Sequence, residues 1–182
     1  MSLIARWRPV AQAALTSGTL MACGDLLSQS IRRHNREKEG RINYRQTLNF
    51  AIVGITLHGP YFYAAFSWLD RTFPSRTISQ AAIKTLIGQV SVFPVYVVAF
   101  FTYIGLLEGK SFSQSAEKTY QLLPRTFLNG SVYWPIVNMF NFLYVPSAGR
   151  VAYVNAAGLI WNAYLSWQNS RINWVEVGSL PR

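Results

Sequence analysis

Asp25 is the one carboxylate set well inside a long, otherwise charge-free segment, Pro9 to Ser30, with Ser28 and Gln29 a turn further on. An acid in such a place either lines a hydrated or proton-linked path or pairs with a base near the segment's end, here the run that begins at Arg32. Both uses stay open. In a wet path an ionised Asp25 would favour cations, and the nearly isosteric Asn would change that preference while leaving folding intact. His58, in ITLHGPYFY, stands two residues before Pro60, which has no N–H and so frees a carbonyl. Bonding that freed group and relaying a proton are the two uses of His58, and the first is favoured because no second titratable residue is close in sequence. Gln89 precedes Pro94 by five residues in a similar setting. Asn138 and Asn141 are i, i+3 and Asn155 and Asn162 are i, i+7, so each pair shares one helical face. Such faces either bond between helices or border water.

Other chemistry is missing from the pattern. There is no phosphate-cradling glycine loop, no nucleophile elbow, no paired-carboxylate arrangement and no His/Cys ligand cluster, so neither an enzyme nor a bound metal or cofactor is expected. The single Cys23 excludes an intramolecular disulfide.

The elements that must position these residues are hydrophobic. Of the 182 residues 51% are hydrophobic and only 13% charged, about half the charged share of a soluble domain. Gln46–Leu69, Thr85–Leu107, Thr126–Gly149 and Val151–Ser170 each run 20 to 24 residues without Asp, Glu, Lys or Arg. A helix of ~20 such residues crosses the ~30 Å hydrocarbon layer, whereas barrel strands are about half as long and alternate. The expected fold is therefore an all-α, polytopic transmembrane bundle forming one membrane domain over residues 1–182. Its spans would be 9–30, 46–69, 85–107, 126–145 and 151–167, some kinked at proline, with a basic loop at 31–45 and a polar loop at 108–125. Four spans and five are both compatible, since 9–30 is the least apolar.

The net charge of +10 sits where spans stop. Arg6 and Arg8 precede the first, and Arg32, Arg33, Arg36, Lys38, Arg41 and Arg45 fill the first loop, which suits anionic lipid headgroups and not direct nucleic-acid binding. Basic residues on both sides of the first span leave the orientation open. The Arg-bearing, acid-free stretch before Asp25 has the composition of an organelle-targeted amino terminus, and Leu20-Met21-Ala22-Cys23 is a poorer fit to a lipoprotein box. Ala14, Gly18 and Ala22 form a small-residue ridge for close helix approach, and Trp161, Tyr164 and Trp167 have the look of an interfacial aromatic belt. Arg150, just after Pro146, is placed to reach headgroups or the open carbonyls of the helix ending near Val145, a structural use.

Several stretches together resemble the Mpv17/PMP22 family: GDLLSQ (24–29), HGPYFYAAFSWLDR (58–71), Gln89 with Pro94, LLEG (106–109), YWPIVNMFNFLYVPSAGR (133–150) and IWNAYLSW (160–167). The resemblance runs from about residue 10 to 172. It implies a small multi-pass protein of the mitochondrial inner membrane, or alternatively of the peroxisomal membrane. It also implies either a weakly selective pore for small solutes that supports mitochondrial homeostasis and mitochondrial DNA, or a non-transporting scaffold or assembly factor of a mitochondrial membrane or ribosomal complex. A homo-oligomer or a larger mitochondrial complex fits the same resemblance. The candidate polar pathway is Asp25, Gln29, Gln89, Asn138 and Asn141, and the candidate structural positions are His58, Pro60, Pro94, Trp134, Pro135, Pro146, Arg150, Trp161 and Asn162. The chain departs from the family pattern at Tyr63, Gly88 and Asn138, where relatives often carry His, Asp and Gln.

Overall fold

A computed structural model describes residues 3–34 and 41–171, and every element among them is helical. Helix α1 is Leu3–His34. A second rod joins α2, Tyr44–Val53, through a π-turn at Gly54–His58 to α3, Gly59–Thr72. A third joins α4, Ile78–Ile87, through a π-turn at Gly88–Val92 to α5, Phe93–Leu107. Helix α6 is Phe112–Tyr144, and after a short 3-10 turn at Ser147–Gly149 the chain ends its described part in α7, Arg150–Arg171.

Both π-turns have the same cause. Pro60 and Pro94 fall in the first turn of α3 and α5, where they cannot donate to the helix ladder. The Gly59 N–H bonds Gly54 O and the Phe93 N–H bonds Gly88 O, five residues back, so the ladder shifts by one residue and the rod continues. His58 does not take a freed carbonyl as its partner. Its Nδ1 lies 2.7 Å from the Tyr96 hydroxyl, and both side chains are buried among Phe62 and Phe100.

Three expectations drawn from the sequence are corrected. The polar loop 108–125 is mostly helix, because Ser111 opens α6 with a capping box: its Oγ accepts from the Gln114 N–H at 3.2 Å while Gln114 Oε1 accepts from the Ser111 N–H at 3.1 Å. Burial of Ser115, Lys118, Thr119 and Leu122 then carries the helix past Pro124. The basic loop starts later than residue 31, since α1 runs to His34 and Arg32 folds back so that its Nη1 donates to Ser28 Oγ. Arg36 and Lys38 lie outside the described residues. Trp161 is no belt residue: it is 4% exposed and packs on Tyr133, Trp134 and Phe93, because α7 lies against α6.

Polar side chains are buried beside an aromatic core while large apolar ones face outward. Leu128, Val132, Ile136, Phe140 and Tyr144 repeat every four residues along α6, and all are exposed. Asp25, Asn141, Ser17, Ser115 and Ser166 are wholly buried. An exposed apolar ridge over buried polar contacts suits a lipid solvent. Among the described residues one helical rod, Ile78–Leu107, is long and apolar enough to cross a membrane by length and composition, with a mean hydropathy of 2.1 over its best window.

The small-residue ridge of α1 meets the second rod at very short range. A β-carbon added to Gly54 would stand 2.6 Å from Gly18 Cα and 2.8 Å from Ser17 O, both backbone atoms that cannot swing aside. Gly54→Ala is therefore expected to force the helices apart and cost roughly 1–3 kcal/mol, read as a lower thermal unfolding midpoint in detergent. An unchanged midpoint would show that the crossing is looser than described.

Candidate functional site

The contacts Ser17–Asn155 and Asp25–Ser166 make α1 and α7 parallel neighbours along most of their length. Polar groups gather along this seam and at its two ends.

At one end, Asp25 is 0% exposed and accepts four hydrogen bonds. Its Oδ1 accepts from Ser166 Oγ at 2.6 Å and from Gln46 Nε2, and its Oδ2 accepts from Thr47 Oγ1 at 2.6 Å and Gln29 Nε2 at 2.7 Å. Among the described residues the acid does not pair with the basic run that follows it. Three helices, α1, α2 and α7, are tied to a single acceptor-only group. Gln29 extends the tie, because its Oε1 accepts from the Asn43 N–H at 2.7 Å while Asn43 Oδ1 caps α2 by accepting from the Gln46 N–H.

At the opposite end, Asp70 on α3 binds two cations. Its Oδ1 accepts from Lys84 Nζ at 3.0 Å and from Arg150 Nη1. Lys84 and Arg150 are each 1% exposed. Arg150 also donates from Nη2 to Phe142 O at 3.2 Å and from Nε to Val145 O at 3.3 Å, satisfying carbonyls that Pro146 leaves open at the end of α6. Both cations lie over the Phe142 ring, 5.3 Å and 5.1 Å from its centre.

Beside Asp70 opens a cleft of about 740 Å³ between α1, α3 and the start of α7. Gln12 and Thr16 of α1, Tyr63 and Ser67 of α3 and Asn155 of α7 line it with polar groups, together with Phe66 and Pro9. At its inner edge Asn155 Oδ1 accepts from Ser17 Oγ at 2.9 Å. From Ser17 to Asp25 is eight helical steps, or about 12 Å, and between them Gly24 packs directly on Asn162 and the Leu159 carbonyl of α7. The seam is closed over that distance.

The residues anticipated as one pathway thus fall in separate places. Asp25 and Gln29 share the first node. Gln89 donates to Ser131 Oγ at 2.8 Å and, with Asn138, borders a small cavity of about 20 Å³ between the second π-turn and α6. Asn141 is fully buried on α6 with neither amide atom bonded. The α6 and α7 asparagine faces do not bond each other, as Asn155 pairs with Ser17. Gln46, Thr47, Ser166, Asp70 and Lys84 were not anticipated. Gln46 and Thr47 open a charge-free run, and Asp70 and Lys84 are the charges that bound two such runs, which is the signal that was available.

A helical bundle with an apolar exterior, buried polar nodes at both ends and a polar cleft defines an integral membrane protein. Residues 105–166 match the model of the Mpv17 / PMP22 family. A Dictyostelium discoideum protein named PXMP2/4 family protein 4 is 36% identical over 162 residues, covering 89% of this chain and 87% of that one. The human mitochondrial inner membrane protein Mpv17 is 32% identical over 159 residues, 87% and 89% of the two chains. Protein SYM1 of Gibberella zeae is 28% identical over 186 residues, 94% of this chain and the whole of that one. The chain belongs to the Mpv17/PMP22 family, and its location is the mitochondrial inner membrane. No solved structure matches it.

Proposed function

We propose that the chain is a weakly selective channel for small solutes, with the cleft as its vestibule and the seam between α1 and α7 as its path. The observation that supports this most is that a 740 Å³ opening, with Ser17 and Asn155 at its inner edge, lies at one end of the α1–α7 seam and the buried polar node of Asp25 at the other. All five rods cross the bilayer in this reading. The shortest, α7 with 22 residues, measures about 33 Å, enough for the ~30 Å core. Conduction requires α1 and α7 to part, since Gly24 and Asn162 close the seam at rest. Exposed Arg33, Arg41 and Arg45 at the Asp25 end would meet anionic headgroups. Solute passage would serve mitochondrial homeostasis and the upkeep of mitochondrial DNA without direct nucleic-acid contact.

The test is reconstitution of purified protein in planar bilayers, with folding verified by its unfolding transition. Discrete conductance is expected, and Thr16→Trp, which fills the cleft, is expected to lower it several-fold. A folded but silent protein would sink the channel reading and favour a scaffold or assembly role, in which the exposed α6 ridge would meet a partner protein.

A further inference from the structure

We infer that the cleft between α1, α3 and α7 is a binding site for an anionic group, a carboxylate or phosphate on a small solute or lipid headgroup. This rests on the channel reading only for its physiological use. Binding itself is independent of conductance.

The charge count comes first. Asp70, which itself lines the cleft, is the one acid at this end among the described residues, and its Oδ1 is shared by the buried Lys84 and Arg150. Arg71, the exposed residue after Asp70 on α3, lines the cleft itself. Lys84, Arg150 and Arg71, with Arg76 close enough to Lys84 to act on it electrostatically, thus stand around one carboxylate, a local excess of positive charge beside a low-dielectric wall, where charges are poorly screened. An approaching cation is repelled, and an anion is attracted.

The hydrogen-bonding capacity agrees. Asn155 lines the cleft and is 3% exposed; its Oδ1 is taken by Ser17, and its Nδ2 is a buried donor with no partner. An unpaired buried donor is destabilising, so an acceptor that reaches it is bound the more tightly. Ser67, Thr16 and Ser147 add hydroxyls to the lining. The volume of about 740 Å³ falls within the range of small-molecule sites.

The experiment uses the full chain in nanodiscs of neutral lipid, its unfolding midpoint followed against malonate, inorganic phosphate and, as the cationic counterpart, choline, all at fixed ionic strength. A second arm replaces part of the neutral lipid by an anionic phospholipid. Saturable stabilisation by malonate or phosphate, weakened about tenfold in apparent affinity by Arg71→Gln, is expected for a soluble occupant. Stabilisation only in the anionic-lipid arm, with the same dependence on Arg71, would assign the site to a headgroup. Asn155→Asp, which sets a carboxylate at the inner edge, is expected to abolish either effect, and Arg71→Gln alone decides if that variant does not fold. Stabilisation by choline, an anion effect indifferent to Arg71, or no anion effect in either arm would each overturn the inference. Saturable anion binding by a non-conducting protein would remove the channel reading and keep the site.

Discussion

Asp70→Asn is expected to destabilise the protein more than removal of either cation that Asp70 holds. Lys84 and Arg150 are each 1% exposed and share one carboxylate oxygen. Deleting that carboxylate leaves two buried like charges with no counter-ion, whereas Lys84→Met or Arg150→Leu leaves one cation with one anion. Breaking a buried pair from one side costs about 3–5 kcal/mol, and the two-cation remnant places Asp70→Asn at or above the top of that range. Arg150→Leu also frees the Phe142 and Val145 carbonyls, at roughly 1–3 kcal/mol each, so it should fall between Lys84→Met and Asp70→Asn. The unfolding midpoint and the detergent-extracted yield of the three variants give the ranking. Non-additivity gives the sharper check, because Asp70→Asn should cost less in the Lys84→Met background than in the wild type. Additive effects, or a mild Asp70→Asn, would mean that the three charges do not act as one unit.

The second large effect is expected at Asp25. Asn has nearly the same shape, which suggests a silent exchange, but the bonding pattern says otherwise. All four neighbours donate: Ser166 and Gln46 to one oxygen, Thr47 and Gln29 to the other. An amide places an NH2 group where one oxygen stood, so it faces a hydroxyl and a side-chain amide donor in either orientation. The hydroxyl can rotate to accept. The amide cannot follow freely, because turning Gln29 gives up its bond from the Asn43 N–H, and Gln46 also donates to Ser166 at 3.1 Å. Each orphaned donor costs roughly 1–3 kcal/mol. Asp25→Asn should thus lower the unfolding midpoint and loosen α2 and α7 from α1, and the reversal potential of channels that still fold should stay near the wild-type value. Wild-type stability together with a shifted reversal potential would instead put Asp25 on the conducting path as an ion-selecting group.

These two nodes show what the sequence makes visible and what it hides. The rods are visible because each is a long run without charge, and the use of Arg150 is visible because a proline four residues earlier must leave carbonyls open. Asp70 and Lys84 are hidden because each charge-free run stops at its first charge, which places that charge at the edge of a loop. Their partners lie 14 and 80 residues apart, a distance only packing can close. Asp25 is conspicuous, yet its donors come from 4, 21, 22 and 141 residues away, so nothing local tells an acid held by neutral donors from one facing water. The polar character of 108–125 suggested a loop, and only the cap at Ser111 and the buried face of α6 make it helix. Trp161 looked interfacial by spacing alone, but the neighbour that buries it is another helix.

The two π-turns carry a consequence for how chain length can vary in this fold. Bonding five residues back where an α-helix bonds four back lets each turn take up one residue beyond what the ladder needs. The helix that follows keeps the facing it would have had in a chain one residue shorter. Loss of a residue within Gly54–His58 can therefore heal into ordinary helix with Asp70 still turned toward Lys84 and Arg150. Loss of one within Gly59–Leu69 has no such slack, and would swing Asp70 by about 100° around the helix axis. Length changes in the family's second and third rods should accordingly collect at these wide turns, leaving the segments that run from them to the charged node fixed in length.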